Sequence, residues 1–263
     1  MANRLEALLQ AAATNPVERP AFIRCLLESE VFVLGQSGQP DGRHTLEAGT
    51  KVAIRHWSRQ DGTSFIPFFT SVEALQQAIK EQEHFLGLRA KSLFEMTKGA
   101  DLVLNPGLQY AKEFLPEEVA GLLEHDGPAF ERRVVTQPTQ VLLAQPKEKP
   151  ERMLAALSEL LPRYPEVKAA YLALMHDASR DPGPTLVVGI EGDGNLDRAV
   201  ADAGHLAADT RPDERPVDFV RITPRDTGGI ARFMLDTVTP FYRRDAGPPS
   251  GIGPRLRAWM GRG

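Results

Sequence analysis

The five residues Phe65–Phe69 constrain the fold most, because they form an apolar run that stops abruptly at two hydroxyl residues. Three of the five are phenylalanine, a residue that favours strands. Pro67, at the centre, has no N–H to give to a neighbouring strand, which predicts an edge strand or a bulge. Asp61-Gly62, just before the run, is a strong hairpin signal. An edge strand rich in phenylalanine is either a binding lip or a part of the core, and the sequence leaves both interpretations open.

The residues after the run predict the start of a helix. Thr70 lies three residues before Glu73, which is the spacing of a capping box. In that motif the Thr70 hydroxyl accepts a hydrogen bond from the Glu73 N–H, and Phe69 packs against Ala74 as a hydrophobic staple. Because capping explains the hydroxyl residues, Ser71 is not required as a nucleophile.

A second short motif, Leu104-Asn105-Pro106-Gly107, closes a later predicted strand. Its composition predicts a turn. Since this turn leaves a strand that is expected to neighbour the first, it can form the other side of the same groove. The candidate partner-binding residues are therefore Phe68, Phe69, Thr70, Ser71, Asn105, Pro106 and Gly107.

Apolar periodicity divides the chain into two α/β regions. In the first, residues 1–130, we expect helices at Arg4–Ala13, Val17–Glu28, Val72–Lys80, Leu88–Thr97 and from Pro116 onwards. The expected strands of this region are Val31–Leu34, Lys51–Trp57, Phe65–Phe69, Asp101–Leu104 and Tyr110–Phe114. A domain boundary falls near residues 126–138, where glycine and proline interrupt the pattern.

The second region, residues 138–245, has the predicted order β-α-β-β-α-β-α. Its strands are Val141–Leu143, Val167–Met175, Thr185–Ile190 and Val217–Ile222, and its helices are Pro150–Leu161, Leu196–Ala208 and Gly229–Tyr242. The first six elements match a ferredoxin-like split βαβ unit. The predicted class is α+β, with two mixed α/β domains of which the second is ferredoxin-like. Residues 246–263 are predicted to be a flexible, basic tail rich in glycine and proline.

Composition excludes several classes of function. The chain has 263 residues, of which 42% are apolar and 25% charged, as in soluble globular proteins. Its net charge is −4, and neither half carries the basic surplus that a general nucleic-acid binder needs. No apolar run approaches the roughly 18 residues of a membrane span, and the amino terminus lacks a signal-peptide pattern. We therefore expect a cytoplasmic protein that binds neither membrane nor nucleic acid.

Motifs for metals and cofactors fail at decisive positions. The turn that begins at Gly192 lies where a dinucleotide-binding loop would lie, but Asp197 occupies its third glycine position. The same turn resembles a calcium loop, yet Arg198 replaces the required glycine. The six histidines include no pair spaced as metal ligands on one helix, and the single cysteine, Cys25, has no partner. We predict no metal, no cofactor and no catalytic residue, and hence that the protein is not an enzyme.

A ferredoxin-like second domain raises the possibility of an RNA-recognition module. Such modules stack bases on aromatic side chains of their central strands. The corresponding strands here, Val141–Leu143 and Thr185–Ile190, contain no aromatic residue. RNA binding of that kind is not expected, whereas a small-molecule regulatory domain remains open.

The chain resembles the SseB family, named for a phenotype of enhanced serine sensitivity. The resemblance rests on Ile66–Ser71 after the Asp61-Gly62 turn, on Leu104–Gly107 with the following Glu113-Phe114, and on Pro240–Tyr242. It covers roughly residues 15–245 and leaves out the tail. It implies a bacterial, cytoplasmic protein with an amino-terminal and a carboxy-terminal domain, a link to serine tolerance, and no assigned catalytic residue.

Three hypotheses follow from these observations. The first is a non-enzymatic adaptor or modulator that binds a protein partner through the Phe68–Ser71 lip. The second is a regulatory protein whose second domain senses a small ligand such as an amino acid. The third, an enzyme, is the weakest, because catalysis needs convergent polar groups and the sequence nominates none.

Overall fold

A computed structural model describes residues 3–36, 52–124, 141–176, 183–213, 215–223, 225–226 and 229–244. Within these residues the chain forms two mixed sheets that pack against helices, which confirms the predicted α+β class. The predicted domain boundary near residues 126–138 and the tail 246–263 lie outside the described residues.

The helices of the described residues follow the apolar periodicity of the sequence. They are α1 Arg4–Thr14, α2 Arg19–Glu28, α3 Val72–Ala78, α4 Ala90–Met96, α5 Pro116–Glu124, α6 Glu151–Leu160, α7 Asp197–Thr210 and α8 Gly229–Thr237. Single 3-10 turns, Pro16–Glu18 and Leu161–Arg163, precede α2 and follow α6. The side chain of Asn3 caps α1 by accepting a hydrogen bond from the Leu5 N–H at 2.7 Å.

The strands of the described residues form one sheet in each region. The first sheet contains β1 Glu30–Gln36, β2 Ala53–Ile54, β3 Trp57–Ser58, β4 Ser64–Phe69, β5 Phe85–Arg89, β6 Leu102–Leu104 and β7 Lys112–Phe114. The second contains β8 Leu142–Ala144, β9 Val167–His176, β10 Thr185–Gly192, β11 Val217–Ile222 and β12 Tyr242–Arg243.

Strand β4 lies inside the first sheet, so of the edge strand or bulge that Pro67 predicts, the edge strand is wrong. Strands β2, β1, β4, β6 and β7 are neighbours in that order, and β4 runs parallel to β6. On its other side β4 pairs with β3 at Ser64 and Phe65, and with β1 at Phe68 and Phe69. Pro67 falls between these two pairings, where no partner requires the N–H that it lacks. The proline is tolerated because β4 changes partners there.

Two local predictions in this region are also wrong. Ser71, not Thr70, caps α3, because its hydroxyl accepts the Ala74 N–H at 3.1 Å and the helix begins at Val72. Leu88 is not helical but belongs to β5, which pairs along its whole length with β1. In β5 alternate side chains are exposed, the period of a half-buried strand. The next helix therefore begins at Ala90.

The second domain has the predicted order of elements but not the split βαβ pairing. Strand β9 is antiparallel to β10, and β10 is parallel to β11 along its length, with α7 as the crossover. A split unit would need another strand between those two. The short strand β8 instead pairs with the end of β9 at Leu174–His176, on the edge away from β10. The ferredoxin-like arrangement is thus not the one observed.

The last helix ends earlier than its apolar pattern predicts. It stops at Thr237, and Pro240 follows before the chain turns extended. Tyr242 and Arg243 then form β12, which pairs with Ala170 and Ala169 of β9. The segment after α8 thereby adds a short strand to the second sheet.

Candidate functional site at the domain junction

The two sequence motifs lie side by side at the carboxyl ends of β4 and β6. The Thr70 N–H donates to Asn105 Oδ1 at 3.0 Å, and Asn105 Nδ2 donates to the Thr70 hydroxyl at 3.1 Å. Asn105 has a φ of 50°, in the left-handed region that asparagine tolerates better than most residues. Pro106 is buried, and the exposed Gly107 has a φ of 78°. Hydrogen bonds therefore join the motifs directly and leave no groove between Thr70 and Asn105.

The amino-terminal end of α1 completes this cluster. Asn3 Nδ2 donates to the Thr70 carbonyl at 3.0 Å. Glu6 Oε1 accepts from the Thr70 hydroxyl at 3.0 Å and from the Ser71 hydroxyl at 2.8 Å. Thr70 and Asn105 are 1% and 5% exposed, and buried polar groups are costly unless they are hydrogen-bonded. These contacts explain the hydroxyl and amide residues as a clamp that holds α1 against the sheet.

The phenylalanines of the motif face the interior. Phe68 and Phe69 are both completely buried. The Phe68 ring centroid lies 5.9 Å from those of Phe94 and Phe114, and the Phe69 centroid lies 6.2 Å from that of Trp57. Their rings offer no surface to a partner, so of the two interpretations that the sequence leaves open, the core is the one observed for these two residues.

A different surface joins the two domains. Val17, in the 3-10 turn between α1 and α2, is 2% exposed and belongs to the buried cluster that contains Leu157 and Leu160 of the second domain. An apolar side chain of the first domain therefore completes the core of the second. Ion pairs cross the same junction between Glu18 and Arg163, Arg19 and Asp209, and Arg24 and Asp202.

Asp202 is the most buried charged group of this junction. It lies on α7 with 4% of its surface exposed. Both of its carboxylate oxygens accept hydrogen bonds from Arg24 of α2, and one also accepts from the Tyr164 hydroxyl. Burial, and then the hydrogen bond to Asp202, raise the pKa of the Tyr164 phenol. The tyrosine is therefore held protonated as a donor, and Arg24 supplies the counter-charge.

A cavity of about 330 Å³ opens beside this network, between the two domains. That volume lies at the lower end of the roughly 300–1,000 Å³ that is usual for small-molecule sites. The cavity is lined by apolar side chains and by four charged ones. Its lining comprises Val17, Pro20, Ala21 and Arg24 of the first domain and Leu160, Arg163, Tyr164, Pro165, Glu166 and Arg198 of the second.

The charged side chains that line the cavity differ in whether they form ion pairs. Arg24 is neutralised by Asp202, and Arg163 donates two hydrogen bonds to the Glu18 carboxylate at 3.2 and 2.6 Å. Within the described part of the chain, the side chains of Arg198 and Glu166 have neither a hydrogen bond nor an ion pair, with each other or with a third residue. As far as the described ranges extend, the cavity lining thus contains one cation and one anion without an ion pair.

His205 lies one turn along α7 from Asp202. Its Nε2 atom is buried without a hydrogen-bond partner among the described residues. Burial lowers the pKa of this imidazole to about 4, although the nearby carboxylates Asp202 and Asp209 act in the opposite direction. The side chain is consequently neutral at physiological pH and packs as an uncharged group.

The described ranges lack two further kinds of feature. No group of three or more His, Cys, Asp or Glu residues there is arranged to hold a metal ion. None of the helices described is long and apolar enough to cross a membrane.

Sequence reasoning did not find the residues of the junction. A weak signal exists in Asp202, because it lies at helical spacing between Ala199 and Leu206, both of which are completely buried. A carboxylate on a core face requires a partner. No spacing rule, however, points from Asp202 to Arg24, since the two residues are 178 positions apart in sequence.

Comparisons with known proteins agree with this two-domain architecture. The model of the SseB protein N-terminal domain matches residues 5–121, and that of the SseB protein C-terminal domain matches residues 135–244. Protein SseB of Escherichia coli (strain K12) is 37% identical over 243 residues, which cover 92% of each chain. Protein SseB of Shigella flexneri shows the same identity and coverage. No solved structure gives a significant match. With both domain models matched in order and relatives aligned over nearly the whole chain, the protein belongs to the SseB family.

Proposed function

We propose that this protein is a non-enzymatic binding protein that holds a small ligand in the cavity between its two domains. The observation that carries the proposal is the composition of the cavity wall, to which both domains contribute. Ligand sites occur preferentially at domain interfaces, and they combine an apolar wall with a few polar groups. A ligand that contacts both domains stabilises their junction, which is how occupancy would be signalled.

The paired groups of the cavity favour this role over catalysis. Its Tyr164 hydroxyl donates to Asp202, and two of its arginines are already neutralised by carboxylates. Catalysis requires a nucleophile or a base within reach of a substrate atom. The paired groups are held as structure, so they are suited to shape a site and not to react in it.

The role of a protein adaptor is supported less well than ligand binding. The sequence assigns partner binding to the Phe68–Ser71 lip, and both phenylalanine rings of this lip are buried. The resemblance to a family linked with serine tolerance is compatible with either role. It makes L-serine the first compound to test.

Thermal unfolding of the full chain with a defined panel of compounds tests the proposal. The panel holds L-serine, the other proteinogenic amino acids, small carboxylates, small amines, sugars and nucleotides. At a concentration about 100-fold above Kd, a ligand stabilises the native state by about 2.7 kcal/mol. We expect at least one class of compound to raise the Tm.

A variant that fills the cavity provides the control. Ala21→Phe should abolish the rise in Tm, because Ala21 lines the cavity. Ala208→Phe, the same change at an exposed position of α7, should leave it intact. The proposal is wrong if no compound raises the Tm, or if Ala21→Phe responds as the unmodified protein does.

A further inference from the structure

We infer that the ligand of this cavity is a small zwitterion with an apolar body, bound through its anionic group by Arg198 and through its cationic group by Glu166. This inference rests on the proposed function and specifies its ligand. It follows from the charges that the domain junction leaves unpaired.

The charges that line the cavity are only partly neutralised by neighbouring residues. Four charged residues line it: Arg24, Arg163, Arg198 and Glu166. Asp202 neutralises the first and Glu18 the second. Among the residues that the structure describes, one positive and one negative group of the lining remain without an ion pair, so their charges sum to zero. A simple anion would leave Glu166 without a partner, and a simple cation would leave Arg198 without one.

The side chains of Arg198 and Glu166 are too far apart to neutralise each other. No nitrogen of Arg198 lies within ion-pair distance, 4.0 Å, of a Glu166 oxygen, although both side chains line the same cavity. A small molecule with opposite charges at two ends can bridge such a gap. Charge-assisted hydrogen bonds to both ends are stronger than neutral ones, and an arginine is suited to bind a carboxylate in a bidentate manner.

The surroundings hold Glu166 in place without using its side chain. The Asp193 N–H donates to the Glu166 carbonyl at 3.1 Å, and Gly192 packs so closely there that a Cβ atom would lie 2.2 Å from the same oxygen. The backbone of Glu166 is thus fixed by the turn that precedes α7, which also carries Arg198. The backbone segments that carry Glu166 and Arg198 are therefore in contact through this turn.

The remaining wall defines the body of the ligand. Val17 and Leu160 are 2% and 1% exposed, and Pro20 is also buried. These apolar groups favour a short aliphatic part over a further polar group, because a polar group there would lose its hydrogen bonds to water. A small α-amino acid has the three required parts: a carboxylate, an ammonium group and a short side chain.

Calorimetric titration of the full chain tests the inference with matched compounds. L-alanine, L-serine and L-valine carry both charges, propionate carries only the carboxylate, and propylamine carries only the ammonium group. We expect the tightest amino acid to bind at least about tenfold more strongly than propionate or propylamine, which corresponds to about 1.4 kcal/mol.

Two neutralising variants assign the contacts. Arg198→Gln and Glu166→Gln should each weaken the tightest amino acid by about tenfold or more. Neither should lower the Tm of the ligand-free protein, because neither side chain has a partner to lose within the described residues. Arg152→Gln and Glu151→Gln make the same changes at exposed positions of α6 outside the cavity, and both should bind as the unmodified chain does.

The outcomes separate this inference from the proposed function. If propionate binds as tightly as the amino acids and Ala21→Phe abolishes its binding, the cavity is a ligand site but its ligand is an anion. If the amino acids do not bind but another class of compound binds, and Ala21→Phe abolishes that binding, the inferred zwitterionic ligand is wrong. The proposed ligand site in the cavity is then still supported. If nothing binds the unmodified chain, both are wrong.

Discussion

Asp202 connects the residue scale to the architecture, because one carboxylate holds groups from two domains. Its oxygens accept from Arg24 of the first domain and from Tyr164 of the second. The Asp202 side chain is 5% exposed and that of Arg24 is 30% exposed, so the pair is shielded on one side only. An ion pair of this kind contributes less from mutual attraction than from the penalty of leaving one member without its partner.

Asp202→Asn should therefore destabilise the protein. The substitution keeps the shape and an acceptor for Tyr164, but it leaves Arg24 without a counter-charge. We expect the free energy of unfolding to fall by about 1–3 kcal/mol, measured by urea denaturation. Asp209→Asn removes the partner of Arg19 in a pair whose side chains are each 40% exposed, and it should cost no more than about 1 kcal/mol. Equal effects of the two changes would contradict the assigned role.

At the scale of elements, the junction of β4 with α3 shows how a strand end and a helix start share their polar residues. Ser71 caps α3, while Thr70 turns away from the helix toward Asn105 and Glu6. The capping-box spacing from Thr70 to Glu73 is present in the sequence but unused. Tertiary partners at Asn105 and Glu6 satisfy the Thr70 hydroxyl, and the next hydroxyl takes the cap.

Ser71→Ala should loosen α3 at its first turn. Loss of a serine cap costs about 1 kcal/mol, and the Ala74 amide would lose its acceptor. We expect hydrogen exchange of the Ala74 amide to accelerate more than that of the central α2 amides. Thr70→Val is the matched change, and it should not accelerate the Glu73 amide selectively. If hydrogen exchange of the Glu73 amide accelerates selectively in Thr70→Val, Thr70 caps the helix as the capping box predicts, and the assignment of the cap to Ser71 is wrong.

At the scale of the whole molecule, the two domains are joined by one apolar insertion and several charged contacts. Val17 enters the core of the second domain, and helix α7 receives contacts from α2 across the junction. His205 of α7 lies in the electrostatic field of this junction. Burial lowers its pKa first; Arg24 and Lys112 of the first domain lower it further, and Asp202 and Asp209 raise it.

His205 should make the stability of the protein depend on pH. Its folded pKa is about 4, below the ordinary histidine value of 6.5, so the unfolded state binds a proton more readily. The contribution of neutral His205 is fully present above pH 6.5 and is lost as the pH falls toward 4. We expect His205→Gln to reduce the loss of unfolding free energy between pH 7.5 and pH 4.5 by up to about 2 kcal/mol.

Urea denaturation at a series of pH values measures this effect. His84→Gln, at an exposed position before β5, is the matched histidine change and should keep the slope of the unmodified protein. Identical slopes for the unmodified chain and His205→Gln would show that the buried imidazole does not govern the acid sensitivity. Carboxylates that titrate in the same range contribute to the pH dependence of every variant. Their contribution therefore cancels when the slopes of two variants are compared.

The sequence by itself determined the α+β class and most elements, because these depend on local periodicity and turn chemistry. The strand Val217–Ile222 was predicted with its observed bounds, and Asp61-Gly62 forms the expected hairpin between β3 and β4. The sequence also predicts that Thr70 and Asn105 lie near each other at the ends of neighbouring strands. Local patterns cannot say which strand is central, however, so Pro67 predicts an edge strand or a bulge, whereas β4 lies inside the sheet.

Only the tertiary structure decided the pairing of strands and the location of the candidate site. Phe68 is buried because its ring packs against Phe94 and Phe114, which are distant in sequence, and β10 pairs directly with β11 while β8 lies at the far edge of β9. The proposed ligand contacts depend on Arg198 and Glu166 having no ion pair within the described residues, while Arg24 and Arg163 find partners in the other domain. Which charges are neutralised is a property of distance in space, and residues far apart in sequence set that distance only when both domains have folded.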